Sequence, residues 1–576
     1  MSKKNNSITI VNPFWIMLGM SALNLLVMHY YILVNCHADA TLDMTSFVDN
    51  ILGVSLDTFL IYFLFIICSR GNVKFSLCLC FIITWVWALS NIIYSRFFGH
   101  YISYSALGQG FSLFDSIVIK SVWEKIILVD MFFVGLPFLF IFLLRKISIG
   151  RMCYIRQTLN CICAIILLDI VCHFFYCVTN PSLRYASYFL HRMETCHLST
   201  STTFSQPIFS NFVRGSIRSV ISDVYIDLKG NLELDDKQIT EIKDIIESSK
   251  KNVITNPEYQ YSKNIIFILV ESYMSFTSDL IVDNHEVTPF LNSLKRDSSV
   301  YYNGNMRENV TIGESSDGQF IYMTGLLPLR SMITVSKAKR IVLPGLPKAL
   351  GIKSHMVIPT VASMWNQDEM CRQYGFDKLY TSKDYNGGKV ESLNDEQVFQ
   401  LAMHIDEDST QPFFSVILTL SMHQPYRNKV DPSFPITEKA FSTELSCYLS
   451  ACHYTDRQIE MYFRYLRESG LYDKSLIVIA ADHPVGNHNF GDVSDDIPLY
   501  IVNSGVSPKN MWQGECNQVD IYTTLLDLLG CKSEWYGLGH SLISSDYKFS
   551  APNKIWDVSE WIIMGDYFSK QRWNPN

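Results

Sequence analysis

Five long apolar segments fill the first 180 residues, and they constrain the fold more than any other feature. They lie near Phe14–Val34, Ile51–Cys68, Phe75–Ile93, Ile126–Leu144 and Leu159–Val178. Each approaches the roughly 20 residues that a helix needs to cross a bilayer. The first segment is long and has no convincing small-x-small cleavage site before the next one, which argues against a signal peptide. We therefore predict a five-helix transmembrane bundle over residues 1–180.

The charges of the connecting stretches give this bundle an orientation. Lysine and arginine concentrate before the first segment and after the second and fourth, at Lys3, Lys4, Arg70, Lys74, Arg145, Lys146, Arg151 and Arg156. The stretch after the first segment has only acidic charges. The positive-inside rule places the N-terminus in the cytoplasm and everything after about residue 180 outside. Asp57, Asp130 and Asp169 lie within or at the edges of the segments, where charge is costly, so we expect them to face neighbouring helices.

Composition divides the 576-residue chain into a membrane part and a soluble part. The chain is 48% apolar and only 18% charged, with a mean hydropathy of +0.12. Its net charge of −8 argues against a nucleic-acid partner. We predict a connecting region over residues 181–262, with an amphipathic helix at Asp235–Lys251, and a separate domain over residues 263–576. Whether Cys447 pairs with Cys452, or Cys516 with Cys531, is left open.

The soluble part alternates apolar runs with helical patterns, which is typical of an α/β domain with a mostly parallel central sheet. Strands are predicted at Asn264–Val270, His355–Pro359, Phe413–Leu420, Ser475–Ala481 and Pro498–Val502. Helices are predicted near Asp395–Ile405, Glu438–Glu468 and Asp520–Leu529.

Polar side chains follow two of the predicted strands directly. Asp482 and His483 come after the buried-type run Ser475–Ala481, and Glu271 follows Asn264–Val270. In open α/β sheets, ligands bind just beyond the carboxyl ends of the strands. Carboxylate oxygens and an imidazole nitrogen suit a divalent metal. Each residue alone is equally consistent with a strand-end turn. The prediction of a metal site therefore depends on these residues lying close together in the fold.

Two further segments add a hydroxyl and a histidine. Gly313–Gly318 places Ser315 and Ser316 between small residues, ahead of a helix whose N-terminal N–H groups can face a phosphate. The alternative is an ordinary helix cap. The segment Thr419–Tyr426 carries His423 at the end of a strand, followed by a proline. A lone histidine is more often structural.

Taken together, these motifs resemble the lipoteichoic acid synthase family, in which five spans precede an extracellular sulfatase-like domain of the alkaline phosphatase superfamily. The resemblance rests on the order Glu271-Ser272, Gly313–Asp317, Ser421–Tyr426 and Asp482-His483. It implies a metal site formed by Glu271, Ser315, Asp482 and His483. The implied cofactor is one divalent ion, manganese first, with magnesium or zinc as alternatives.

The same resemblance implies roles for the reacting groups. Ser315 is the expected nucleophile, with Ser316 as the alternative, and His423 is expected to contact the phosphate or the leaving oxygen of the substrate. Family members often have Trp-x-Arg in the substrate pocket, whereas this chain has Trp365 and Gln367. Replacing a guanidinium by a neutral amide is not conservative, so it leaves the glycerol-phosphate substrate open. No Cys/Ser-x-Pro-x-Arg motif surrounds Ser315, which argues against a formylglycine sulfatase.

The implied protein is a multi-pass enzyme of a bacterial-type cell membrane with an extracytoplasmic catalytic domain. We expect it to move a phosphoglycerol-type group from a membrane phospholipid to a glycan, lipid or polymer acceptor through a phospho-seryl intermediate. Phosphoethanolamine transfer and sulfatase-like or phosphodiester hydrolysis are the enzymatic alternatives. A transporter and a catalytically inactive membrane sensor or scaffold are the non-enzymatic ones.

Overall fold

The structure is a computed structural model. It describes residues 13–36, 44–98, 101–102, 130–146, 154–179, 215–251, 263–330, 332–388, 390, 392–435, 442–486 and 490–570. The chain forms two compact units, Met1–Lys229 and Gly230–Asn576.

The N-terminal unit is helical at each of the five predicted segments. Its helices are α1 (Pro13–Cys36), α2 (Met44–Cys68), α3 (Val73–Phe98), α4 (Asp130–Lys146), α5 (Tyr154–Thr179) and α6 (Ser216–Lys229). Within the described residues, three are long and apolar enough to cross a membrane, over Phe14–Asn35, Asn50–Cys68 and Val73–Arg96. α4 has 17 residues and is therefore about 26 Å long, slightly less than a bilayer core of about 30 Å. Three spans are supported, and the count of five stays a prediction.

Two acidic residues of this unit are neutralised by buried ion pairs. Asp57 of α2 is fully buried and pairs with Arg218 of α6 at 2.7 Å. Asp130 of α4 accepts two hydrogen bonds, of 2.7 and 2.8 Å, from Arg96 of α3. Both carboxylates thus face other helices, as a charge in an apolar environment requires. The side chain of Asp169 lies outside the described side chains.

The C-terminal unit is an α/β domain. It begins with α7 (Asp236–Lys251), the predicted amphipathic helix, which starts one residue later than expected. Its strands are β1 (Asn264–Val270), β2 (Ile281–Val282), β3 (His285–Glu286), β4 (Tyr301–Arg307), β5 (Lys353–Val357), β6 (Lys378–Tyr380), β7 (Phe413–Leu418), β8 (Ser475–Ala481), β9 (Ile497–Val502) and β10 (Cys516–Asn517).

Helices occupy most of the connections between these strands. They are α8 (Pro289–Arg296), α9 (Ser315–Thr324), α10 (Thr334–Ala338), α11 (Leu346–Leu350), α12 (Gln367–Tyr374), α13 (Asp395–Asp408), α14 (Thr443–Glu468), α15 (Asp520–Leu528), α16 (Asn553–Gly565) and α17 (Tyr567–Lys570). The cysteines considered for pairing, Cys447, Cys452, Cys516 and Cys531, are all free thiols.

One eight-stranded sheet organises the domain, in the order β10-β4-β9-β8-β1-β7-β5-β6. Only β9 runs against the others, so the expected mostly parallel sheet is confirmed. β1 is central, pairs with β7 and β8, and is buried along its whole length. A strand covered on both faces needs a continuous apolar run, which explains the sequences of β1 and β8.

Most strand predictions agree with the structure to within a few residues. The predicted His355–Pro359 is β5 at Lys353–Val357, and the predicted Phe413–Leu420 ends at Leu418. Thr419, the residue after β7, still donates its N–H to the carbonyl of Leu269 on β1, and its hydroxyl accepts from the N–H of Glu271 at 3.0 Å. That contact lies at the edge of the sheet where the candidate site is found.

Candidate active site

The parallel pairing of β1 with β8 brings two carboxylates side by side. Val270 and Ala481 are partners in the ladder, so Glu271 and Asp482 leave the sheet at the same level. Asp482 N–H donates to the carbonyl of Val270 at 3.1 Å, which extends the ladder by one residue. Both acids are almost fully buried, as is His483. The strand-end residues predicted from separate motifs therefore lie together at the carboxyl edge of the sheet.

The loop before α9 places a serine hydroxyl over this edge. Asp317 shapes the loop, because its Oδ2 accepts hydrogen bonds from the N–H groups of Thr311 and Gly313 and from the Thr311 hydroxyl. Glu314, the residue before the helix, has φ 41° and ψ −115°, a conformation that residues with a side chain rarely adopt. This sharp turn leaves Ser315 as the first residue of α9.

The two adjacent serines have different surroundings. Ser315 Oγ lies 3.1 Å from Glu271 Oε2 and 3.0 Å from His483 Nε2. Ser316 is 1% exposed, and its hydroxyl donates to the carbonyl of Gly313 at 2.7 Å. A hydroxyl that is buried and hydrogen-bonded to its own loop is poorly placed to attack a substrate. Of the two hydroxyls, that of Ser315 faces Glu271 and His483.

The donor atoms at this edge fit a divalent cation. Glu271, Asp482 and His483 each offer a ligand atom within 4.8 Å of the others. His483 Nδ1–H donates to the carbonyl of Pro484 at 2.6 Å, which fixes the ring with Nε2 towards the acids. A ring nitrogen held by a backbone carbonyl in this way is usual for histidines that bind metals.

The electrostatics of the acid pair also favour a bound cation. Burial and, to a smaller extent, the nearby negative charge of Glu271 raise the pKa of Asp482 to about 7. Burial also acts to raise the pKa of Glu271, but a hydrogen bond from His483 and the charges of His423 and His483 hold it below its usual range. Two buried acids side by side are costly unless positive charge lies between them. A divalent ion would supply that charge.

His423 lies at the exposed rim of the site. It follows the end of β7, its side chain is exposed, and its Nδ1–H donates to the carbonyl of Gln424 at 2.6 Å. A positive charge on His423 would act to lower the pKa of both Glu271 and Glu314. Nε2 is directed away from that backbone contact, and this position suits a contact with substrate.

The two predicted pocket residues differ in their surroundings. Trp365 is half-buried on a turn with φ 50°, which is unusual for a bulky residue. Gln367 is almost fully buried, and its amide pairs reciprocally with that of Gln319 on α9, with N–O distances of 2.9 and 3.2 Å. Gln367 thus contacts α9 instead of presenting a free group, and its predicted contact with substrate stays a prediction.

Two residues to which the sequence analysis assigned no role hydrogen-bond the two acidic residues, Glu271 and Asp482. Ser272 contacts both carboxylates, through its N–H and its hydroxyl. Gln518 is fully buried, and its Nε2 donates to the carbonyl of Asp482 at 2.7 Å. Ser272 stood beside Glu271 in the quoted motif, which was a usable signal. Nothing in the sequence marks Gln518, since its partner is 36 residues away.

Comparison with known proteins agrees with this geometry. Residues 263–531 match the Sulfatase family. Lipoteichoic acid synthase 2 of Bacillus subtilis is 29% identical over 370 residues, covering 59% of this chain and 56% of the relative. The lipoteichoic acid synthase of Staphylococcus saprophyticus is 28% identical over 331 residues, covering 52% and 51%. The chain spans about half the length of these curated relatives.

A solved structure shares the fold over nearly the whole chain. It is the integral membrane lipooligosaccharide phosphoethanolamine transferase A from Neisseria meningitidis, with a TM-score of 0.52 and 12% identity. The match covers 95% of this chain and 97% of that structure. The chain is thus similar to lipoteichoic acid synthases, and its residues 263–531 match the Sulfatase family.

Proposed function

We propose that the protein is a membrane-bound, metal-dependent phosphotransferase that moves a phosphoglycerol-type group from a phospholipid to an extracytoplasmic acceptor. The observation that carries this proposal is the position of Ser315 Oγ, within 3.1 Å of both Glu271 and His483. A serine hydroxyl is a weak nucleophile until its surroundings lower its pKa. The names of the curated relatives, which are lipoteichoic acid synthases, support a phosphoglycerol donor.

We assign the residues of the site separate roles in a two-step transfer. Ser315 Oγ forms a bond to the phosphorus of the donor, and the bond from phosphorus to the diacylglycerol oxygen breaks. His423 is proposed to hydrogen-bond the phosphoryl group or the departing oxygen, which leaves as diacylglycerol after taking up a proton. An acceptor hydroxyl then attacks the phospho-seryl group and releases Ser315.

The metal site proposed for this chemistry consists of Glu271, Ser315, Asp482 and His483. A divalent cation held there would lower the pKa of the serine hydroxyl and offset charge on the phosphoryl oxygens. Manganese is proposed first, and magnesium or zinc would suit the same oxygen and nitrogen donors.

The proposed arrangement in the cell follows from the sequence and the apolar helices. We propose a cell-membrane protein with five spans, residues 1–180, and a cytoplasmic N-terminus. Residues 181–262 would connect the spans to an extracytoplasmic catalytic domain, residues 263–576. The acceptor would be a glycan, a lipid or a polymer.

Phosphoethanolamine transfer is the second candidate, and a specific observation keeps it open. Where family members often carry an arginine, the neutral Gln367 is engaged with Gln319. A pocket without that guanidinium has lost a group that would grip a phosphate in two places. The head group of the donor is therefore the least supported part of the proposal.

The test is to incubate full-length protein in lipid nanodiscs with manganese and fluorescent phosphatidylglycerol or phosphatidylethanolamine. Wild type is compared with Ser315→Ala and with Ser316→Ala as the matched control. We expect diacylglycerol release from phosphatidylglycerol, lost in Ser315→Ala and kept within a few-fold in Ser316→Ala. Release only from phosphatidylethanolamine would change the donor and keep the mechanism. Activity that survives Ser315→Ala would disprove the nucleophile.

A further inference from the structure

Ser272 lies between the end of β1 and the site in a conformation that serine seldom adopts. Its φ is 50°, in the left-handed region, and it is 3% exposed. A residue with a Cβ is strained in this conformation, whereas glycine adopts it freely. Local backbone geometry alone would therefore favour glycine. What serine adds at this position is its hydroxyl.

The left-handed turn directs two donors of Ser272 at two different carboxylates. The backbone N–H donates to Asp482 Oδ1 at 2.9 Å. The hydroxyl donates to Glu271 Oε1 at 2.7 Å. Glycine could supply the first contact but not the second. Ser272 thus donates a hydrogen bond to each of the two acidic residues, Asp482 and Glu271.

The hydroxyl contact also sets the rotation of the Glu271 carboxylate. With Oε1 held by Ser272, the other oxygen, Oε2, is left to accept from Ser315 Oγ at 3.1 Å. Oε1 also has a longer contact with His483 Nε2, at 3.4 Å, but the proposed cation would itself engage that nitrogen. Without the Ser272 hydroxyl, the short contact of Oε1 is lost. The carboxylate could then rotate, and the oxygen facing Ser315 would be less well fixed.

Ser272 is itself fixed by a buried tyrosine of α14. The Tyr448 hydroxyl donates to the carbonyl of Ser272 at 3.0 Å and accepts from the N–H of Met274 at 3.0 Å. The ring of Tyr448 packs on Phe490 and, edge to face, on Tyr426, three residues after His423. The turn that carries Ser272 is therefore tied to the segment that carries His423.

We propose that Ser272 is a positioning residue for the metal site. Its hydroxyl orients Glu271 so that one carboxylate oxygen faces Ser315 and the cation, and its N–H holds Asp482 alongside. This inference rests on the proposed metal-dependent function. It assigns Ser272 no contact with the substrate.

The experiment measures manganese affinity without turnover, so that positioning is separated from catalysis. Full-length protein in detergent is titrated with Mn²⁺ and the free ion is followed by electron paramagnetic resonance. Ser272→Ala and Ser272→Gly both remove the hydroxyl, but only glycine also relieves the left-handed strain. Ser272→Thr keeps the hydroxyl. Ser475→Ala is the control, because Ser475 is a buried serine at the opposite edge of the same sheet, bonded to Leu471.

We expect Ser272→Ala and Ser272→Gly to weaken Mn²⁺ binding by about 10- to 100-fold, the usual cost of losing a group that orients a metal ligand. Ser272→Thr should bind within a few-fold of wild type, and Ser475→Ala should bind as wild type does. The metal-free melting temperature of Ser272→Gly should match or exceed that of wild type. Wild-type affinity in Ser272→Gly would overturn the inference while leaving the proposed function intact. A wild-type protein that binds no Mn²⁺ would overturn both.

Discussion

At the scale of single residues, the residues of the candidate site were easier to predict than their hydrogen-bond partners. The sequence identified Glu271, Asp482 and His483 from the ends of apolar runs, and the structure brings them together. It could not choose between Ser315 and Ser316. The structure distinguishes them because the Ser316 hydroxyl donates to the carbonyl of Gly313, whereas the Ser315 hydroxyl does not. The sequence also could not show that Gln367 is engaged by Gln319, 48 residues earlier in the chain. Long-range hydrogen bonds of this kind have no local signal.

The buried Gln319–Gln367 pair allows us to predict how charged side chains at these positions would change the free energy of unfolding. Gln367→Arg buries a guanidinium against a neutral amide, so we expect the free energy of unfolding to fall by about 1–3 kcal/mol. The double variant Gln319→Glu/Gln367→Arg replaces the amide pair by an opposite-charge pair and should recover most of the loss. Thermal unfolding of wild type, Gln319→Glu, Gln367→Arg and the double variant in detergent forms a double-mutant cycle. A double variant no more stable than Gln367→Arg would show that the two side chains are not coupled.

At the scale of elements, strands were predictable where both faces are covered. β1 and β8 are continuous apolar runs because neighbours cover them on both sides. β4 was missed, since its sequence Tyr301–Arg307 includes two asparagines and a glycine and it pairs with β9 through a register shift. Its place in the sheet is decided by its partners, which a local pattern does not contain.

Helix α9, which begins at the proposed nucleophile Ser315, approaches the end of β8 closely enough to require a glycine. A Cβ added at Gly318 would lie 2.2 Å from the carbonyl oxygen of Asp482, which is backbone and cannot move aside alone. Gly318→Ala must therefore displace α9 from the strand end that carries Asp482 and His483. We expect a loss of about 1–3 kcal/mol in unfolding free energy and about a hundredfold in lipid cleavage, because a displacement of about 1 Å can have that effect.

Gly135→Ala is the matched control for this prediction. Gly135 is also helical, and a Cβ there would meet nothing within 4 Å. Its activity and melting temperature should stay close to those of wild type. Activity of Gly318→Ala within a few-fold of wild type would show that the helix tolerates the shift and that the close approach has no role in catalysis.

At the scale of the whole molecule, hydropathy and periodicity alone distinguish an apolar helical part from an α/β part, and the predicted domain bounds stay a prediction. The partners of the charges in the helical unit could not be predicted in this way. Asp57 was expected to face a neighbouring helix, and its partner Arg218 lies 161 residues later, on α6. Helix α6 follows the five apolar segments in the chain, so the hydropathy of each segment gives no indication that α6 contacts α2.

This ion pair predicts that the stability of the helical unit depends on α6. Arg218 is 5% exposed and Asp57 is fully buried, and Asp57 also accepts from the N–H of Ile217. Arg218→Gln leaves a buried carboxylate without its cation, which typically costs about 3–5 kcal/mol. We expect a clearly lower melting temperature in detergent, partly restored by adding Asp57→Asn.

An exposed pair serves as the comparison. Glu460 and Arg464 lie one turn apart on α14, 3.7 Å from each other, and both are largely exposed. Glu460→Gln should change the unfolding free energy by less than about 1 kcal/mol, as is usual for surface pairs. An Arg218→Gln variant as stable as Glu460→Gln would show that Asp57 finds another partner.

The order of the site residues along the chain has a consequence for how the proposed metal would be acquired. Ser315 and His483 are 168 residues apart, so a chain synthesised from its N-terminus presents Glu271 and Ser315 long before Asp482 and His483. The ligands meet only when β8 has joined β1 in the sheet. In the proposed orientation, that step follows export of most of the domain. The ion would then be drawn from the outer compartment, and its identity would be set by the metal supply there and not by the cytoplasmic pool.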